Sequence, residues 1–205
     1  MTTLAAFDLA LTSTGVADDC GPRLIAPKST GPERLIEIRQ AVLRACHTIK
    51  PYWDEWCCSV EVGCVQVDLV AIEGYAYGRP NQAHQLGELG GVVRVALHEA
   101  GIPVVVVPPA SVKTYATGKG NASKDDVLLA AVRRLDYAGS TKDESDALWL
   151  YALVMDALGQ PVVTVPAIHR RAVSTVTLPV GMARRSPRVG PALGEVSGAD
   201  VGSRS

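Results

Sequence analysis

Four acidic side chains in three separated segments carry the chemistry that this chain can do: Asp8, Glu73, and the pair Asp143 and Asp146. Asp8 lies in LAAFDLAL and Glu73 closes VDLVAIEG, both apolar runs that read as buried strands. An ionised carboxylate is expensive in such a place unless something cationic meets it. Asp143 and Asp146 stand three residues apart at the head of the helical run KDESDALWLYALVMDAL, so they share one face. If the fold brings the three segments together, mutual repulsion raises the pKa of each acid unless cations bind. Two hard divalent cations, Mg²⁺ first and Mn²⁺ as a substitute, would relieve that repulsion and equip the site for phosphodiester cleavage. Three of the acids also have an ordinary reading, whereas Asp146 stands among the apolar Ala147, Leu148, Trp149 and Leu150. Asp8 could form a strand-end turn, Glu73 could be exposed where its strand leaves the sheet, and Asp143 could complement a helix dipole. Glu144, about 100° around the helix from Asp143, is placed as a cap and not as a ligand.

The elements that must position these acids follow from the hydrophobic pattern. Residues 3–10, 14–18 and 23–27 read as three strands of a meander, with Thr12 to Gly15 as the first turn. A helix follows at about 32–50, stopped by Pro51, and residues 51–66 have no clear period and read as a connecting segment. The strand over 67–73 leads through GYAYGRPN into a helix at about 82–100. That helix carries Gly87, Gly90 and Gly91, each costing about 1 kcal/mol relative to alanine. Close approach of another backbone, within the fold or across a dimer, would justify them. The run IPVVVV at 102–107 reads as a strand buried on both faces, which places it centrally in a partly parallel sheet. A short helix through Val112–Thr117 follows. Ser123 then caps a helix to about Leu135, with Asp126 as its capping-box acid. The last helix, at about 142–158, is apolar nearly all round beyond its first turn and is therefore expected to be buried.

Composition bounds the rest. The chain has 205 residues and a net charge of −1, so no overall basic signature marks a nucleic-acid binder. The charge is uneven: residues 161–205 hold six arginines against two acids. Five cysteines (Cys20, Cys46, Cys57, Cys58, Cys64) show no C-x-x-C pair, which favours ordinary buried thiols over a zinc site. With no leader-like start and no apolar stretch of membrane length, the expected location is the cytoplasm. Three units are expected: a domain over 1–160, a docked extension over 161–179, and a disordered tail over 180–205.

Several stretches, in order, resemble the RuvC-type Holliday junction resolvases. FDLALTSTG resembles the family's opening strand through Asp8, Thr14 and Gly15, although Leu9–Ala10 stand where members often have Pro-Gly. VAIEGYAYGRPN and LGELGGVV resemble the strand-end glutamate and the helix after it. VPPASVKTYATGKGNASKDDV is similar to the family's P-x-x-V-K…T-G-x-G-x-A-x-K-x-x-V, with Lys113 and Lys124 on its basic positions. DESDALWLYAL matches D-x-x-D-A-L at the head of the final helix.

The resemblance implies an α/β fold of RNase H-like type, a mixed sheet with an antiparallel three-strand meander plus parallel strands and helices on both faces. It implies a phage-encoded, Mg²⁺-dependent endonuclease acting as a homodimer on four-way junctions and leaving 5′-phosphate and 3′-hydroxyl ends. Asp8, Glu73, Asp143 and Asp146 then take the metal-ligand and catalytic roles. Lys124 is a catalytic candidate at the scissile phosphate, its position in a helix's first turn being otherwise mildly unfavourable. Lys113 and Lys119 would hold backbone phosphates, and Tyr75 and Tyr77 would stack on unpaired bases, with core packing the alternative for one of the two. Two alternatives stand beside this reading: a non-catalytic junction-binding module, and an actin-like ATPase or sugar kinase. The second lacks its further glycine-rich phosphate loop.

Overall fold

Leu4–Asp8 (β1), Thr14–Asp18 (β2) and Gly21–Ile25 (β3) form the expected antiparallel meander, in a computed structural model that describes residues 2–52, 61–74, 80–139 and 141–182. The turn between β1 and β2 is closed by Thr14, whose Oγ1 donates to the Ala10 carbonyl at 2.9 Å and accepts from the Ala10 N–H at 3.1 Å. Gly31–Ala45 (α1) ends five residues earlier than its pattern suggested. His47–Tyr52 (β4) and Glu61–Gln66 (β5) then pair as an antiparallel ribbon outside the main sheet. Residues 51–66 are thus not merely a connection. Pro51 starts no break here, because it sits inside β4 and its missing N–H is tolerated in a two-stranded ribbon.

Leu69–Glu73 (β6), Pro80–Glu99 (α2) and Val104–Val107 (β7) follow, then Pro109–Thr117 (α3), Lys124–Arg134 (α4) and Lys142–Ala157 (α5). The main sheet runs β3-β2-β1-β6-β7, with β1–β6 and β6–β7 parallel. The fold is therefore the mixed α/β sheet expected, with one correction. β7 is an edge strand, and Val106 is 48% exposed. Val105 and Val107 enter the core, while the opposite face at this edge is only partly covered.

Strand alternation assigns the two faces. Leu4 and Ala6 of β1, with Leu69 and Ala71 of β6, pack into the core built with α3, α4 and α5. Ala5 and Phe7, with Val70 and Ile72, pack against Ile38 and Val42 of α1 and Leu89 and Val93 of α2. With a side-chain period of two, Asp8 and Glu73 belong to the α5 side. α5 is buried from Ser145 to Ala157 except at Leu148, as its all-round apolar pattern required.

Beyond α5 the chain is not simply extended. Ala167–Arg170 (α6) and a 3₁₀ turn over Arg171–Thr175 lie against α3 and α5. Arg170 reaches the buried Asp156 of α5, its Nη2 2.6 Å from Oδ1, and Tyr115 of α3 donates to the other carboxylate oxygen at 3.0 Å. Of the cysteines, Cys46 is buried and Cys20 exposed.

Candidate active site

β1 and β6 run side by side in the same direction, with Phe7 opposite Ile72, so their carboxyl ends deliver Asp8 and Glu73 to adjacent places on one sheet edge. α5 arrives from the face that alternation assigns to both. Its first turn is fixed by Thr141, whose side chain accepts from the Glu144 N–H, while the Glu144 carboxylate accepts from Thr141 Oγ1 at 2.7 Å. Glu144 is thus occupied as a cap. Asp143 and Asp146, one turn apart, are left facing β1.

The approach of α5 to the sheet is set by Gly15 in β2. A Cβ at Gly15 would lie 2.0 Å from the Asp143 carbonyl oxygen, so no other residue fits without displacing the helix. Glycine here lets strand and helix backbones touch, which brings oxygens of Asp8, Asp143 and Asp146 within 4.8 Å of one another. Lys124, in the first residue of α4, lays its Nζ 3.1 Å from Asp143 Oδ1 and 3.1 Å from Asp146 Oδ2. Ser123 caps α4 with the expected box, donating its N–H and Oγ–H to Asp126 Oδ2 and accepting from the Asp126 N–H.

The electrostatics follow from burial and crowding. Burial, then Asp146 and Asp143, pushes the Asp8 carboxyl up to about 7 against the pull of Lys124. Glu73 stands outside the three-acid group yet belongs to the same field: burial, then Asp8 and Asp146, hold it well above the usual carboxylate range. Burial also raises Asp146, which Lys124 opposes. Burial works against the Lys124 ammonium, but Asp146 and Asp8 outweigh it and hold its pKa above the usual lysine range. One internal cation thus offsets part of the charge of one buried and three half-buried carboxylates. An all-oxygen donor set with charge left to neutralise suits a hard divalent cation such as Mg²⁺ or Mn²⁺.

Lys113, on α3, is near enough to lower both Glu73 and Asp146. Lys119 instead lines a separate groove with Arg133 and Arg134. Tyr75 and Tyr77 lie outside the described residues. The cleft in front of Asp8, Asp143 and Lys124 has a volume of about 380 Å³, and Arg34 and Gln85 form part of its wall. Sequence reading missed both. Each is a polar residue on a solvated helix face, and nothing in the local pattern separates it from its neighbours.

Comparison with known proteins now decides the family. The family model described as crossover junction endodeoxyribonuclease RuvC matches residues 57–153. Over 134 residues the chain is 31% identical to the crossover junction endodeoxyribonuclease RuvC of Synechococcus sp. (strain WH7803), covering 63% of this chain and 75% of that protein. The chain belongs to the RuvC family. A shorter match, 39% identical over 88 residues, links it to the RuvC of Anaeromyxobacter sp. (strain K), covering 43% of this chain and 46% of that protein. The RuvC structure from Thermus thermophilus superposes with a TM-score of 0.54 at 24% identity, over 80% of this chain and all of that one. The same organism's RuvC in complex with Holliday junction substrate gives a TM-score of 0.55 at 23% identity, with the same coverage. These likenesses establish the RuvC fold. As a RuvC-family member the chain is an endodeoxyribonuclease by class, and the kinase alternative falls. No helix among the described residues is long and apolar enough to cross a membrane.

Proposed function

We propose that this RuvC-family chain is a metal-dependent, structure-selective endonuclease, its nuclease domain over residues 1–160, that resolves four-way DNA junctions by paired nicks as a homodimer. The observation that carries this reading is the meeting of Asp8, Asp143 and Asp146 oxygens within 4.8 Å, with Glu73 on the neighbouring strand end. These four would hold two Mg²⁺ ions. Bound there, the cations would supply the Lewis acidity that readies a water for attack and offsets charge on the leaving 3′-oxygen.

The chain's own residues do the rest. Lys124 exchanges its aspartate partners for the scissile phosphate and stabilises the charge that develops on it. Lys113, on the Glu73 side, holds a backbone phosphate beside the acid cluster, and Lys119 takes another further along. Asp8 and Glu73, half-buried at the strand ends, orient the attacking water in line with the leaving oxygen. The products carry 5′-phosphate and 3′-hydroxyl ends. Two-fold symmetry of a dimer directs one cut to each of two opposing strands. Support for a dimer comes from α2: nothing lies within 4 Å of a Cβ built at Gly87 or Gly91, and Val95 on that helix is 58% exposed. Approach of another backbone within the fold therefore does not explain those two glycines among the described residues.

The test is cleavage of an end-labelled immobile four-way junction beside linear duplex, with Mg²⁺, Mn²⁺ or EDTA. Metal-dependent paired nicks on the junction alone support a resolvase. Equal cutting of forks and flaps widens the role to general debranching. Binding without cutting under any metal overturns the proposal and leaves a junction-binding module.

A further inference from the structure

Past residue 153, where the match to the RuvC family model ends, the chain returns along α3 from its C-cap to its first turn. Val165, Ala172, Val173 and Val176 of this segment are buried in the core, which would suffice for a cover. Polar ties at three places do more. At the end of α3 the buried His169 donates from Nδ1 to the Tyr115 carbonyl, 2.9 Å away, since a carbonyl only accepts. The same ring lies over Gly118, the left-handed C-cap: a Cβ there would be 3.0 Å from Nε2. Arg171 Nη2 donates to the Gly118 carbonyl at 3.2 Å. Midway along α3, Tyr115 shares the Asp156 carboxylate of α5 with Arg170, which grips it through Nε at 3.0 Å and Nη2 at 2.6 Å. At the first turn, Thr175 Oγ1 stands 2.8 Å from Oγ of the buried Ser111.

α3 carries Lys113 and leads through Gly118 into the loop that ends at Ser123 and Lys124. That loop folds back on α3, since a Cβ at Gly120 would lie 3.2 Å from Thr114 Oγ1 and 3.3 Å from the Ala110 carbonyl oxygen. Both lysines near the acids therefore stand on one unit, held at its start, middle and end. Asp143 and Asp146 stand on α5, which Arg170 and Asp156 couple to that unit. A buried ion pair adds little net stability against apolar residues of equal volume, but a guanidinium fork fits its carboxylate in one orientation. Arg170 is thus suited to fixing register.

We propose that residues 165–176 are a brace that sets Lys113 and Lys124 against the acid cluster, with Arg170 as its central positioning residue. The proposal rests on the nuclease reading above. Asp156 lies about 15 Å along α5 from Asp146, so Arg170 acts on the site only through Asp156 and Tyr115.

The experiment compares the full-length wild type with Arg170→Ala and Arg170→Lys. It reads single-turnover cleavage of a saturating four-way junction with Mg²⁺, gel-shift affinity in EDTA, and hydrogen exchange over residues 113–124. Arg170→Ala should cut about 10²-fold more slowly, the cost of a displacement of about 1 Å at the reacting groups. Its affinity should stay within a few-fold, and its exchange over 113–124 should quicken. Millimolar guanidinium, but not sodium at equal ionic strength, should recover most of the rate by filling the place beside Asp156. Arg170→Lys keeps the Asp156 charge paired, so it folds even where Arg170→Ala does not, and its rate should fall between the two. Wild-type cutting in every variant that folds, or binding lost in step with cutting, overturns the brace and leaves the nuclease standing. A slow rate that guanidinium leaves unrecovered assigns Arg170 to general stability and also overturns the brace. A wild type that cuts no junction overturns the nuclease. Quickened exchange that guanidinium reverses would then sustain the brace as the holder of the two lysines, and unchanged exchange would overturn both.

Discussion

Lys124 sits where a divalent ion would otherwise balance Asp143 and Asp146, 3.1 Å from each. The acids around it carry the two predictions at this scale. Asp8→Asn and Asp146→Asn should each lower junction cleavage by at least about 10³-fold, judged from what removing a single transition-state contact costs. Gel-shift affinity for the uncut junction should stay within a few-fold. Joint loss of binding and of cooperative unfolding would instead mark these as structural residues. The second prediction concerns pH. Asp8 titrates near 7 in the fold against 3.8 for the free side chain, so its proton favours the folded state. That stability is fully present below about pH 4 and disappears as pH rises through 7. The melting temperature gained on adding Mg²⁺ should therefore grow between pH 5 and pH 8, and Asp8→Asn should flatten the trend. Equal gains at both pH values would count against Asp8 as the titrating group. The acids were legible in the sequence because a carboxylate inside an apolar run has few structural excuses. Arg34 and Gln85 were not, since a wall is made by topology and leaves no local mark.

At the scale of elements, β2 and α5 meet at Gly15. Gly15→Ala adds one methyl group where a carbonyl oxygen stands 2.0 Å away, so the strand and helix must separate. The expected loss is about 1–3 kcal/mol in urea unfolding, the usual range for overpacking. Cleavage should fall far more than this stability loss explains, because Asp143 moves with the helix. An Ala variant with full activity would remove Gly15 from the account of the site. The same elements show why most of the fold could be read ahead. α5 is apolar all round, α4 begins with a capping box, and β1 and β6 are continuous apolar runs; each pattern has one cheap structural solution. The β4–β5 ribbon escaped because Pro51 and the absence of alternation mask a pair that lies off the main sheet. The edge position of β7 escaped for a related reason. Four valines read alike whether one face or two are covered, and strand order is a long-range property.

For the whole molecule, the proposal puts the dimer contact on α2, where Val95 is exposed and Gly87 and Gly91 face open space. Val95→Asp should shift sedimentation from dimer to monomer and turn paired nicks into single, unpaired ones. A variant that remains dimeric moves the contact to another face. The arrangement at Gly15 also reaches beyond its own neighbourhood. The separation between Asp8 and the head of α5 is gauged by main-chain atoms in contact, and main-chain atoms are the same in every sequence. The apolar layers on either side can therefore drift through many substitutions without retuning the spacing of the carboxylates. A position that carries no side chain keeps the instrument in calibration, and its loss should be as damaging to inheritance as the loss of an acid.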